Sequence, residues 1–90
     1  MPTVHLIIKG KVQGVFYKTS AKKEADSLHV TGWVKNTRNG DVEAMASGNV
    51  DAIERFIAWC KQGPPRAMVT DVAVTKQAEQ AFGGFAILRD

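Results

Sequence analysis

Two glycines and two lysines between residues 10 and 18 are the residues best spaced to do chemistry in this chain. The segment Gly10-Lys11-Val12-Gln13-Gly14-Val15-Phe16-Tyr17-Lys18 leads from an alternating apolar stretch into one with helical spacing. A strand-to-helix passage of this kind brings two sources of positive potential together. The first turn of a helix has N–H groups without intrahelical acceptors and the positive end of the helix dipole. Glycine lets the backbone ahead of it curl so that successive N–H groups converge. Together they form a nest for an anion such as phosphate, and Lys18 adds a full charge near the helix start. The segment fits neither G-x-x-x-x-G-K-[ST] nor G-x-G-x-x-G, so a nucleotide P-loop is not indicated. On spacing alone, a plain turn whose glycines serve backbone geometry explains the segment equally well.

The remaining chemically capable residues are isolated. Cys60 is the only cysteine, so no intrachain disulfide forms, and it falls on the apolar stripe of an expected helix as core filling. His29 has no partner nearby in sequence and follows Leu28, where a helix ends. His5 is expected on the open face of a sheet, in a structural role. Asn36, close to a turn, reads by itself as a turn former or a solvent-facing residue.

The elements that must position these residues follow from periodicity. Residues 3–9 alternate, with Val4, Leu6 and Ile8 on one face, and predict a strand; Gly10 to Val15 predicts a loop. Tyr17, Ala21, Ala25 and Leu28 share one helix face. Gly32 opens a second strand, Trp33 to Arg38, and Asn39-Gly40 is a hairpin turn signal. Asp41 to Ser47 returns, with Val42, Ala44 and Ala46 on one face. Asn49 caps a second helix carrying Ile53, Phe56, Ile57 and Cys60, Asp51 complements its positive end, and Gly63-Pro64-Pro65 ends it. Met68 to Lys76 is a further strand, Gln77 to Gly84 a polar connection, and Phe85 to Arg89 a short terminal strand. The order βαββαβ with one more strand predicts an α+β, ferredoxin-like sandwich: an antiparallel sheet with both helices on one face and a short fifth strand.

Ninety residues provide for one domain, spanning 1–90, and an apolar fraction of 44% suits a folded core. A net charge of +3 agrees with an anionic ligand but falls short of the dense basic surface of a nucleic-acid binder. No apolar run approaches the length of a membrane span, and Met1 to His5 lacks a signal-peptide pattern. A cytoplasmic location without membrane association is the resulting expectation.

The nine residues Gly10–Lys18 closely resemble the acylphosphatase signature G-[RK]-V-Q-G-V-x-[FY]-R. Gly32-Trp33-Val34-Lys35-Asn36, the Asn39-Gly40 hairpin, Gly63-Pro64 and Phe85-Ala86-Ile87 match further family blocks in order, from about Val4 to Leu88. The resemblance implies a ferredoxin-like fold and hydrolysis of acyl phosphates to carboxylate and inorganic phosphate, with no metal or cofactor. It implies a phosphate cradle of Gln13, Gly14, Val15, Phe16, Tyr17 and Lys18. It also implies a water-positioning Asn36, so that Lys18 and Asn36 are the catalytic pair. The expected partners are a small acyl phosphate and inorganic phosphate or a similar anion, with the protein a monomer.

The signature ends in arginine, where this chain has Lys18. Lysine keeps the charge but lacks the planar fork that grips two phosphate oxygens. Intact phosphate binding with reduced turnover is the expectation. The alternative is a catalytically weak or inactive module of the same fold that binds anions or contacts a protein. Family members also often carry glycine just after the first helix, in L-G-[LV], where this chain has Leu28-His29-Val30. The resemblance therefore implies a positive φ at His29, which histidine tolerates and glycine adopts at less cost. RNA binding, open to other βαββαβ domains, is not indicated. The run Asp41-Val42-Glu43-Ala44-Met45-Ala46-Ser47 has no aromatic residue on which a base could stack and carries two acids.

Overall fold

The computed structural model describes residues 1–89; Asp90, the last residue of the expected domain, lies outside them. Alternation of apolar and polar residues produces four longer strands and a short one: β1 (Thr3–Lys11), β2 (Thr31–Asn36), β3 (Val42–Ser47), β4 (Met68–Gln77) and β5 (Phe85–Ile87). Helical spacing produces α1 (Tyr17–Leu28) and α2 (Val50–Gln62). The strands form one sheet in the order β4-β1-β3-β2-β5. Its core face carries Val4, Leu6 and Ile8 of β1, Val34 of β2, and Val42, Ala44 and Ala46 of β3, all buried. Tyr17, Ala21 and Ala25 of α1 and Ala52, Ile53, Phe56 and Cys60 of α2 close over that face. This is the ferredoxin-like sandwich expected from the element order.

β1 and β2 are each antiparallel to β3, so they run the same way and end at the same end of the sheet. The β1–α1 connection and Asn36, the last residue of β2, therefore meet at one sheet end. At the opposite end, residues 78–84 cross from β4 to the free edge of β2. Gln80 N–H donates to Thr3 Oγ1 (3.2 Å), Ser47 Oγ donates to Gln80 O (3.3 Å), and Gly32 N–H donates to Gly84 O (2.9 Å). The crossing starts where β2 starts, so β5 pairs with β2 in parallel, the one parallel pairing in an otherwise antiparallel sheet.

Several strand boundaries differ from the periodicity-based expectation. β1 continues through Gly10 to Lys11, where a loop was expected. At Gly10, φ is 124° and an added Cβ would lie 2.1 Å from the carbonyl oxygen of Met68, so glycine here admits a bulge against β4. β2 spans Thr31–Asn36 because residues 37–40 form the turn, with Thr37 N–H donating to Asp41 O (2.9 Å). β5 stops at Ile87.

The helix ends follow their local chemistry. Asn49 Oδ1 accepts from Ala52 N–H at 2.8 Å, capping α2. At the end of α1, His29 has φ 59°, its N–H donates to Asp26 O (3.2 Å), and Val30 N–H donates to Ala25 O (2.8 Å). These are the two bonds of a Schellman motif, with an exposed histidine in the left-handed position that glycine usually fills. His29→Gly is expected to stabilise the protein by about 1 kcal/mol or less, because it removes the Cβ penalty and returns part of the gain as unfolded-state entropy. Urea melts measure it; an unchanged or lower midpoint would count against it.

Candidate functional site

Val12 and Val15 are buried in the core and fix the two ends of the β1–α1 loop, while Gly14 and Phe16 are exposed. Gly14 has φ 74° and Phe16 has φ 64°, ψ 24°, both left-handed; Tyr17 then begins the right-handed helix. Alternation of hand along the backbone turns successive N–H groups toward a common concavity. The first intrahelical bond of α1 runs from Ser20 N–H to Phe16 O (3.1 Å). Phe16, at the N-cap, supplies no side-chain acceptor, and the first turn contains no acidic residue. The N–H groups of Tyr17, Lys18 and Thr19 are therefore the open donors of an uncapped helix end. α2 provides the contrast: both devices missing from α1, a side-chain cap and an acid, are present there as Asn49 and Asp51.

A cleft of about 300 Å³ opens at this helix end, lined by Val12, Gly14, Phe16, Tyr17, Lys18, Thr19 and Asn36. Asn36 enters it through strand alternation. Gly32, Val34 and Asn36 face the helices, and Asn36 extends that row just past the core. Asn36 Oδ1 is buried and is the one buried side-chain polar atom among the described residues with no hydrogen-bond partner. Leaving such an acceptor unmatched costs about 1–3 kcal/mol. Lys18 takes part in no ion pair among the described residues. The carboxylate of Asp41 is held by Lys9 Nζ at 2.9 Å.

Of the residues expected at the site, Gly14, Phe16, Tyr17, Lys18 and Asn36 line this cleft; Gln13 and Val15 do not. Val15 contributes to the core. The Gln13 side chain is occupied: its Nε2 donates to Thr37 O (2.8 Å) and to Asp41 O (2.7 Å), clasping the loop to the β2–β3 turn. That clasp fixes the distance between the nest and Asn36. The Tyr17 ring is also occupied, with its hydroxyl donating to Cys60 O (2.8 Å) and its ring tilted against Trp59. Burial pushes the Tyr17 phenol far above its usual range. Burial also pushes the Cys60 thiol up to about 12, against a smaller lowering by Tyr17, so Cys60 is a neutral core thiol. Val12 and Thr19 line the cleft without having been singled out from sequence. Thr19 was accessible to such reasoning, since the third residue of any helix carries an open N–H group.

The other candidates lie elsewhere. His5 Nε2 is 2.6 Å from Glu43 Oε2 across β1 and β3, on the sheet face away from the helices. Trp33 shares that face, with Lys35 Nζ 5.4 Å from its ring centre. Among the described residues, no three His, Cys, Asp or Glu side chains are grouped to hold a metal ion, and no helix is long and apolar enough to cross a membrane. A larger apolar groove of about 650 Å³ runs beside β4 and α2, but it lacks the convergent open donors of the smaller cleft.

Comparison with known proteins finds relatives along nearly the whole chain. The sequence model of the acylphosphatase family matches residues 4–87. The chain is 44% identical to an acylphosphatase of Methylococcus capsulatus, over 100% of this chain and 99% of that one. Its fold superposes on the acylphosphatase of Bacillus subtilis with a TM-score of 0.95 at 36% identity, covering 98% of this chain and 99% of that one. For the acylphosphatase of Coxiella burnetii the TM-score is 0.93 at 39% identity, with 97% and 92% covered.

Proposed function

The chain belongs to the acylphosphatase family, and on that premise we propose that the Gln13–Lys18 segment holds the phosphoryl group of an acyl phosphate while Asn36 positions the attacking water. Membership makes the chain an enzyme of acyl phosphate hydrolysis, releasing a carboxylate and inorganic phosphate. The finer assignment is supported above all by one observation. An uncapped helix end, a lysine without an ion-pair partner and an asparagine with an unpartnered buried oxygen face a single cleft.

The chemistry asks for little more. An acyl phosphate is a mixed anhydride whose leaving group is already a stable carboxylate, so no strong acid is needed to expel it. The water oxygen bonds to phosphorus, the bond from phosphorus to the acyl oxygen breaks, and the water's protons remain with the product phosphate and solvent. Phosphoryl transfer of this kind depends on positioning and on donors aimed at the equatorial oxygens. Gly14, Val15, Phe16, Tyr17 and Lys18 act through backbone N–H groups, and Lys18 also through its ammonium. Gln13 acts by holding the loop to the β2–β3 turn. Asn36 offers a carbonyl to accept from the water and an NH2 to donate, and holds the water in line without serving as a strong base. No metal or cofactor enters this scheme.

Competition tests it. Inorganic phosphate is expected to inhibit benzoyl phosphate hydrolysis competitively, raising KM with kcat unchanged. Inhibition that lowers kcat, or none at millimolar phosphate, would overturn the cradle. Lys18 in place of arginine favours a second reading, a site that binds its anion and turns over slowly; this reading differs in rate and not in location.

A further inference from the structure

We propose that Phe16 selects the acyl half of the substrate, favouring an aromatic or bulky apolar acyl group over a small one such as acetyl. This rests on the phosphate cradle described above. Phe16 combines two unfavourable features that nothing inside the protein offsets. Its backbone is left-handed (φ 64°), a conformation that penalises any residue with a Cβ. The residue is 69% exposed, although its side chain is large and apolar. Strained backbone combined with an exposed hydrophobe points to a ligand, because such features persist where function maintains them.

The ring is placed to meet one part of the substrate. Phe16 lines the cleft with Lys18 and Asn36, and no other exposed large apolar residue does so. The N–H of Phe16 belongs to the nest, so its side chain starts next to the bound phosphoryl group. The acyl carbon is one bridging oxygen from the phosphorus, and whatever it carries must leave the cleft past the mouth. Beside the ring the mouth is open: an added Cβ on Gly14 would meet nothing within 4 Å. An acyl group leaving there has Phe16 as its apolar surface. A phenyl or branched aliphatic group would cover the ring and be covered by it, whereas a methyl group is too short to do so.

The test compares kcat/KM for benzoyl phosphate and acetyl phosphate in wild type, Phe16→Gly, Phe16→Asn and Phe16→Tyr. Glycine and asparagine both accept positive φ, so neither imposes new strain. The benzoyl-to-acetyl ratio is expected to fall about tenfold in the glycine and asparagine variants and to persist in the tyrosine variant. Reading the ratio cancels any change of the loop that affects both substrates alike. An unchanged ratio in Phe16→Gly and Phe16→Asn, with phosphate still competitive, would overturn the Phe16 assignment and leave the cradle standing. Failure of phosphate to compete in the wild type would overturn the cradle, and this assignment with it.

Discussion

Replacing Lys18 by arginine is expected to raise kcat/KM for benzoyl phosphate by about 5- to 150-fold, the span of 1–3 kcal/mol of transition-state binding. Lys18 is the second residue of α1. In a helix every Cα–Cβ bond tilts toward the N-terminus, so the side chain runs back over the open N–H groups and toward the cleft it lines. There the ammonium is a mobile point charge. In the proposed mechanism it attracts the phosphoryl group but does not fix its rotation, and in-line attack depends on that rotation. Guanidinium presents two parallel N–H groups that match two equatorial oxygens and lose less freedom per bond formed. The gain should fall mainly on kcat, because the ground-state anion is already held by backbone donors and by charge of either kind. A wild-type rate equal to or above that of Lys18→Arg would refute it. It would mean that the nest alone orients the phosphoryl group.

What could be read from the sequence divides along a physical line. Patterns fixed by local periodicity were legible: Val4, Leu6 and Ile8 as the core face of β1, Tyr17, Ala21 and Ala25 as that of α1, and Asn49 as the cap of α2. The positive φ of His29 was legible through the family resemblance, because histidine stands where relatives often carry glycine after the first helix. Long-range geometry was not. Gly10 read as a loop residue because its place in β1 depends on the carbonyl of Met68, nearly sixty positions away in the chain. The parallel pairing of β5 depends on the path of residues 78–84 across the ends of β1 and β3, at Thr3 and Ser47, which leaves no periodic trace.

The site divides in the same way. Local spacing offered a nest before α1 and a plain glycine turn equally, and the family signature favoured the nest. That the Gln13 side chain is spent on Thr37 and Asp41, and so bridges two segments, needed the fold. The same clasp explains how two distant stretches of sequence can act as one site. The loop that carries the donors and the strand that carries Asn36 share a sheet end by topology, and Gln13 sets their spacing to within a hydrogen bond.

Asn36→Ala is expected to lower kcat for benzoyl phosphate by about 100-fold, the loss typical when a group that positions or polarises a reactant is removed. It should leave competitive inhibition by phosphate nearly as strong, because the donors of α1 and the charge of Lys18 remain. The effect on stability should have the opposite sign to that expected of a lost structural contact. Asn36 Oδ1 accepts no hydrogen bond from the described residues, so its removal breaks no hydrogen bond of the fold at that atom, and the midpoint of urea unfolding should hold or rise. A residue kept for folding would behave otherwise, with activity and stability falling together. Loss of activity at undiminished stability is therefore the signature of a group held unpartnered in the protein so that it can hold a water during turnover. A rate within a few-fold of wild type would remove Asn36 from the mechanism and leave the nest and Lys18 as its only protein components.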